Sequence, residues 1–168
     1  MKLTLAIPAH NDAEPLARLL ARAATLACVD RVVVVDEAYV DFGAETAITL
    51  VDRYPNLLVS RTFSKAYGLA SLRVGYAISS PAIADVLNRV RQPFNVNSLA
   101  LAAACAALAD ADYLAEGRRL NDAGMQQLQD GLRELGLSWI PSKGNFIAID
   151  FGRDTTAINQ ALLREGVI

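Results

Sequence analysis

A single histidine, His10, stands in the whole chain, and this excludes chemistry built on paired histidines. Cysteine is nearly as scarce. Cys28 and Cys105 lie in apolar, alanine-rich segments, which predicts buried free thiols in a reducing compartment, and two cysteines with one histidine leave a metal site short of ligands. No sign of charge dominates: 16 Lys and Arg stand against 18 Asp and Glu, a net charge of -2. That argues against a nucleic-acid partner. No apolar run reaches the roughly 18 residues that a membrane span needs. The opening "MKLTLAIPAH" runs straight into a strand pattern with no secretory signal, so a cytoplasmic location is expected. What is present is a 53% hydrophobic, alanine- and leucine-rich chain of 168 residues, enough for one domain or two small lobes.

Hydrophobic patterning predicts the elements. "LTLAI" (3–7) reads as a strand closed by Pro8, and Asp12 can cap a helix over 13–27 with Pro15 in its first turn. "RVVVVDE" (31–37) is a β-branched run ending in acids, the signature of a strand covered on both faces. A helix is expected at 44–53, then strands at 56–63 and 72–79. Strands alternating with helices indicate an α/β sheet with parallel strands. After Pro81 come a helix at 82–92, an alanine-rich helix at 99–109 capped by Asn97 or Ser98, and a long helix at 111–135 stopping at Gly136. "SWIP" and 145–151 read as strands and 155–165 as a last helix. This divides the chain into a sheet-centred part, 1–80, and a connecting helix with a small α+β part, 81–168.

The segment "SRTFSKAYGLASLRVGY" (60–76) places Lys65 among hydroxyls between two apolar strands, with Arg73 beyond it. In a parallel α/β sheet, ligands gather past the carboxyl ends of the strands. Asp36 ends the valine run, Tyr39 follows it, and Lys65 lies in the loop after the next strand. A lysine amine, a carboxylate, a phenol, two hydroxyls and an arginine suit pyridoxal phosphate. The amine forms a Schiff base, the carboxylate keeps the pyridine nitrogen protonated, and hydroxyls and guanidinium hold the phosphate. Other readings stay open. Asp36 can cap a following helix, Tyr39 can be a half-buried tyrosine, and Arg73 can pair with Asp41 or Glu37. His10 reads as a loop residue, Trp139 and Phe146 as core, and Arg118, Arg119, Arg133 and Glu134 as a solvated helix face.

The blocks "VVVDEAYVDF", "SRTFSKAYGLASLRVGY", "RQPFNVNSLA" and "PSKGNF" occur in an order that resembles the fold-type I, class II aminotransferases, and within them the histidinol-phosphate aminotransferase family. The resemblance covers about residues 32–168. It implies a partial fold-type I large-domain sheet followed by a small α+β C-terminal domain. It also implies amino transfer between glutamate and imidazole-acetol phosphate in histidine synthesis, with pyridoxal 5'-phosphate as cofactor, no metal, a small amino-acid or keto-acid substrate and a homodimer. Carried over by position, Lys65 matches the Schiff-base lysine, Asp36 the partner of the pyridine nitrogen and Tyr39 that of the ring oxygen. Thr62, Ser64 and Arg73 match the phosphate side, and Asn145 matches the substrate-side asparagine of the small domain's first strand.

Some family features have no counterpart. The glycine- and serine-containing phosphate turn, the aromatic that stacks on the pyridine and an "NNPTG"-like loop are missing; "IPAHNDAEP" stands where the last should be. The carboxylate-binding arginine expected past "LLREGVI" is missing too. The chain therefore reads as truncated, with weak activity expected unless a partner completes the site. Residues 1–36 also resemble the opening of a family 2 glycosyltransferase, which makes 1–31 either a joined, foreign piece or a chance likeness. A glycosyltransferase fragment and a non-catalytic aminotransferase-derived scaffold are the two competing expectations.

Overall fold

The computed structural model describes residues 5–8 and 32–167, with side chains from 32 onward. The expected helix at 13–27, its Asp12 cap, His10 and Cys28 lie outside the described residues. Four strands form the main sheet: β1 (Leu5–Pro8), β2 (Val33–Asp36), β3 (Leu57–Thr62) and β4 (Gly75–Ser79), in that spatial order. β1, β2 and β3 run parallel, with Val33 opposite Leu57 and Asp36 opposite Ser60.

β4 departs from expectation. It pairs antiparallel to β3, Thr62 opposite Gly75 and Leu58 opposite Ser79. A parallel return needs a crossover of a dozen or more residues, usually a helix. Residues 63–74 hold only a short 3-10 turn, Ala70–Leu72, so the chain folds straight back. The helix expected at 44–53 is also absent, and a 3-10 turn at Ile48–Leu50 stands in its place. The cause is local. The Ala47 N–H and the Thr46 hydroxyl are captured by the Glu37 carboxylate, and the Thr46 hydroxyl also accepts the Ile48 N–H.

Side chains alternate across the sheet. Val33, Val35, Leu57 and Val59 face one way and meet Ala47 and Val51 in a buried cluster. Full burial of each such aliphatic side chain contributes about 1.5–3 kcal/mol. A second cluster joins Phe63 and Val74, from either end of the β3–β4 loop, to Ala100 and Ala104.

Those alanines lie on α2 (Ser98–Ala109), which follows α1 (Pro81–Val90). Asn97 caps α2 by accepting the Ala100 N–H at 2.8 Å. α3 (Ala111–Glu134) starts at Asp110, which accepts the Tyr113 N–H. It ends where Gly136 takes a left-handed φ of 66° and the Leu137 N–H returns to the Leu132 carbonyl. β5 (Ser138–Ile140) and β6 (Ala148–Asp150) form an antiparallel pair, and α4 (Thr156–Arg164) follows. The strand expected over 145–151 is thus only three residues long. Cys105, expected buried, is exposed, because α2 turns only its Ala100 and Ala104 side inward. Among the described residues no single helix is long and apolar enough to cross a membrane.

Candidate active site

The carboxyl ends of β2 and β3 are adjacent, and the alternation of their side chains sorts two groups onto opposite faces. Asp36 and Ser60 share one face, where the Ser60 hydroxyl donates to Asp36 Oδ1 at 3.1 Å. Thr62 follows on the same row, and its partners across β4 are small: Ala77 opposite Ser60 and Gly75 opposite Thr62. A Cβ added at Gly75 would lie 2.6 Å from the Arg61 carbonyl oxygen, so the close pairing of these strands admits no side chain there.

The loop beyond β3 builds a compact polar group. The Thr62 hydroxyl accepts the Ser64 N–H at 3.0 Å. Arg73 holds a left-handed backbone, φ 52°, and its Nη1 donates to the Ala70 carbonyl at 2.7 Å and to the Ser64 hydroxyl at 3.4 Å. The loop is braced from inside: the Gly68 N–H reaches the Lys65 carbonyl and the Leu69 N–H reaches the Phe63 carbonyl. Lys65 itself is exposed. Its Nζ lies 5.1 Å from the centroid of the Tyr39 ring, within the range of a cation–π attraction. Tyr39 in turn meets Phe146 edge-on at 5.1 Å and Phe42 at 6.4 Å.

On the opposite face, the first residue past β2 is Glu37, which is 1% exposed. Its carboxylate accepts from Arg61 Nε at 3.0 Å and Nη2 at 2.9 Å, from the Thr46 hydroxyl and from the Ala47 N–H. Every buried side-chain polar atom among the described residues is hydrogen-bonded. Asp41, also buried, has its carboxyl pushed up by loss of water, an effect that Arg61 and Arg118 partly oppose. Burial likewise raises the Tyr67 phenol, with the Asp41 charge adding to it. This cluster anchors the segment after β2 under the exposed polar row.

A family model described as aminotransferase class I and II matches residues 14–168. The chain belongs to that family. Histidinol-phosphate aminotransferase 2 of Pseudomonas aeruginosa is 73% identical over 140 residues, which cover 81% of this aminotransferase chain and 38% of the relative. Histidinol-phosphate aminotransferase of Stutzerimonas stutzeri is 54% identical over 167 residues, 94% of this chain and 45% of that one. The solved structure of histidinol-phosphate aminotransferase from Sinorhizobium meliloti in complex with pyridoxal-5'-phosphate superposes with a TM-score of 0.83 at 32% identity, over 98% of this chain and 48% of that one. The chain spans less than half the length of these relatives. The family match takes in most of the stretch that resembles a glycosyltransferase opening, and supports the aminotransferase reading over that one.

The aminotransferase fold brings Lys65 and Tyr39 together and sets Asp36 at the neighbouring strand end, while Thr62, Ser64 and Arg73 form their own hydrogen-bonded group. Asn145 differs from expectation: it is exposed and lies on a bend before β6, not on a strand. Arg73 does not pair with Asp41 or Glu37, because Glu37 takes Arg61 instead. Arg119 and Arg133 make exposed pairs along α3, and Arg118, exposed on the same helix, also donates to the Asp41 carbonyl. Phe146, expected in the core, is 42% exposed with its edge on Tyr39. Sequence reasoning missed the Glu37–Arg61 pair and the Gly144–Phe146 contact with Tyr39. The first was signalled only by an acid directly after Asp36, and the second by the glycine and aromatic of "PSKGNF".

Proposed function

We propose that this chain carries the lysine side of a pyridoxal-phosphate site and acts in amino transfer of the histidinol-phosphate aminotransferase type, between glutamate and imidazole-acetol phosphate. The observation that carries the reading is the Lys65 amine over the Tyr39 ring, one strand away from the Asp36 carboxylate. The donor set fits the cofactor. A guanidinium and two hydroxyls within one loop suit a phosphate dianion, and the small row of Ser60, Ala77 and Gly75 lets a flat ring lie close to the sheet. Bound there, pyridoxal phosphate supplies an aldehyde that captures amines and a ring that accepts electrons from the adjoining carbon.

The chain's own residues do the rest. Thr62, Ser64 and Arg73 hold the phosphate. Asp36, oriented by the Ser60 hydroxyl, holds a proton on the ring nitrogen. The Tyr39 hydroxyl would serve the ring oxygen. Lys65 Nζ would hold the cofactor aldehyde, and its free amine would be the base that moves the proton at the substrate α-carbon. Asn145 stands on the substrate side. With this reading go a division near residue 80 between cofactor-binding and small C-terminal parts, a cytoplasmic location and a homodimer. Exposed apolar residues along 90–99, Val90 at 73%, Phe94 at 96% and Leu99 at 75%, support a partner surface.

The test is spectroscopic. Purified chain mixed with pyridoxal phosphate should develop a visible absorbance that borohydride removes, leaving the label on the peptide that contains Lys65. Lys65→Ala should abolish both. A label on Lys143 instead, or no absorbance, refutes the reading.

A further inference from the structure

Two segments distant in sequence meet at Tyr39. Gly144 is buried against the rings of Tyr39 and Phe146: a Cβ there would fall 2.9 Å from Phe146 Cε1 and 3.3 Å from Tyr39 Cδ1. Only a residue without a side chain lets Phe146 come edge-on to Tyr39. The Gly144 turn is held from two sides, by its own N–H to the Ser142 hydroxyl at 3.0 Å and by Asn121 Nδ2 donating to its carbonyl at 3.2 Å.

Asn121 lies three residues after Arg118, so both project from the same face of α3. Arg118 fixes the Asp41 carbonyl in the turn that directly follows Tyr39. One helix face thus grips both the turn beside Tyr39 and the turn that delivers Phe146. The phenol ring is flanked by Phe146 at 5.1 Å, and the Lys65 amine sits over it.

We propose that Phe146 is a positioning residue: seated by Gly144 and Asn121, it fixes the Tyr39 ring beneath the Lys65 amine, so the C-terminal part sets the geometry at the lysine. For its bearing on catalysis this rests on the reading of Lys65 and Tyr39 as cofactor-binding residues. The geometric claim is tested without the cofactor.

The chain has only three lysines, Lys2, Lys65 and Lys143. Reductive methylation with carbon-13 formaldehyde gives each a resolved NMR signal, and Lys65→Arg identifies the one from position 65. Held over an aromatic face, that signal is displaced upfield. Phe146→Leu should lose most of the displacement. Phe146→Tyr, which keeps a ring, should retain it. Asn121→Ala, which keeps the Tyr39 and Phe146 side chains but frees the Gly144 turn, should move the signal in the same direction as the leucine variant, and decides the matter alone if that variant fails to fold. Val51→Ala, in the buried cluster under the sheet, should lower stability and leave the signal where it is. The proposal is overturned if Phe146→Leu and Asn121→Ala leave the signal unmoved, or if Val51→Ala moves it as far. Absence of the visible cofactor band in the unaltered protein would refute the functional reading alone, because the NMR result does not depend on it.

Discussion

Replacing Glu37 by alanine should be among the costliest single changes in the sheet. The carboxylate is buried, and its removal takes an acceptor from three donors at once: the Arg61 guanidinium, whose side chain is 16% exposed and keeps the Thr46 hydroxyl as an acceptor at 2.8 Å, the Thr46 hydroxyl and the Ala47 N–H. Breaking a buried ion pair from one side costs about 3–5 kcal/mol, because the remaining charge stays desolvated. Arg61 keeps an edge in water and the Tyr76 hydroxyl as a neighbour, which favours the lower end, about 3 kcal/mol. For a chain of this size that is a fall of roughly 6–12 °C in thermal midpoint. Circular dichroism during urea and thermal unfolding reads both quantities. Replacing both partners with apolar residues, Glu37→Leu with Arg61→Met, should recover the part of the loss that comes from the unpaired charge, while the Thr46 hydroxyl and the Ala47 N–H stay without this acceptor. The resulting double-mutant cycle then gives a large coupling. A loss below about 1 kcal/mol for Glu37→Ala, typical of a surface pair, would refute the reasoning by showing that water reaches the carboxylate.

Asp41 should make stability fall as pH rises. Its carboxyl titrates above the ordinary 3.8 in the folded protein, so its contribution is complete below the unfolded value and is lost as pH climbs through the folded one. Asp41→Asn should therefore gain on the unaltered protein as pH rises above the ordinary carboxyl value of 3.8; urea midpoints that stay parallel through that rise contradict the assignment. Gly75→Ala drives a methyl to 2.6 Å from the Arg61 carbonyl. It should cost about 1–3 kcal/mol as β3 and β4 part, and should weaken pyridoxal phosphate binding in a titration by disturbing Thr62 opposite it. Asn97→Ala removes the cap on α2 and should cost about 1 kcal/mol by urea unfolding, with the visible cofactor band unchanged.

The strands that could be read directly were those with an unbroken β-branched run or with punctuated ends, although β2, expected to be covered on both faces, buries Val33 and Val35 and leaves Val34 half-buried and Asp36 exposed. The valine run of β2 has no competing pattern, and Asn97 and Gly136 mark helix ends with local chemistry. The stretch 44–53 misleads because its apolar spacing is helical, while the group that prevents a helix is Glu37, outside the stretch. β4 misleads for a related reason. Its composition does not report direction, and only the lack of a helix between 63 and 74 does. Among candidate site residues, those in one motif, Thr62, Ser64, Lys65 and Arg73, were legible together because their loop is local. The Glu37–Arg61 pair spans 24 positions and the Tyr39–Phe146 contact more than 100, and neither periodicity nor capping reaches that far.

The direct return of β4 along β3 has a mechanical consequence. Thr62 and Gly75 are paired neighbours, so the twelve residues between them form a stapled loop whose mouth is closed by the sheet and whose inside is filled by Phe63, Val74 and two alanines of α2. The entropy of closing that loop is lost when the strands pair, not when an anion arrives. Amine, hydroxyls and guanidinium are therefore mounted on a single rigid bracket. Whatever binds there meets them as one object, and a change that loosens any part of the bracket should weaken all of them together.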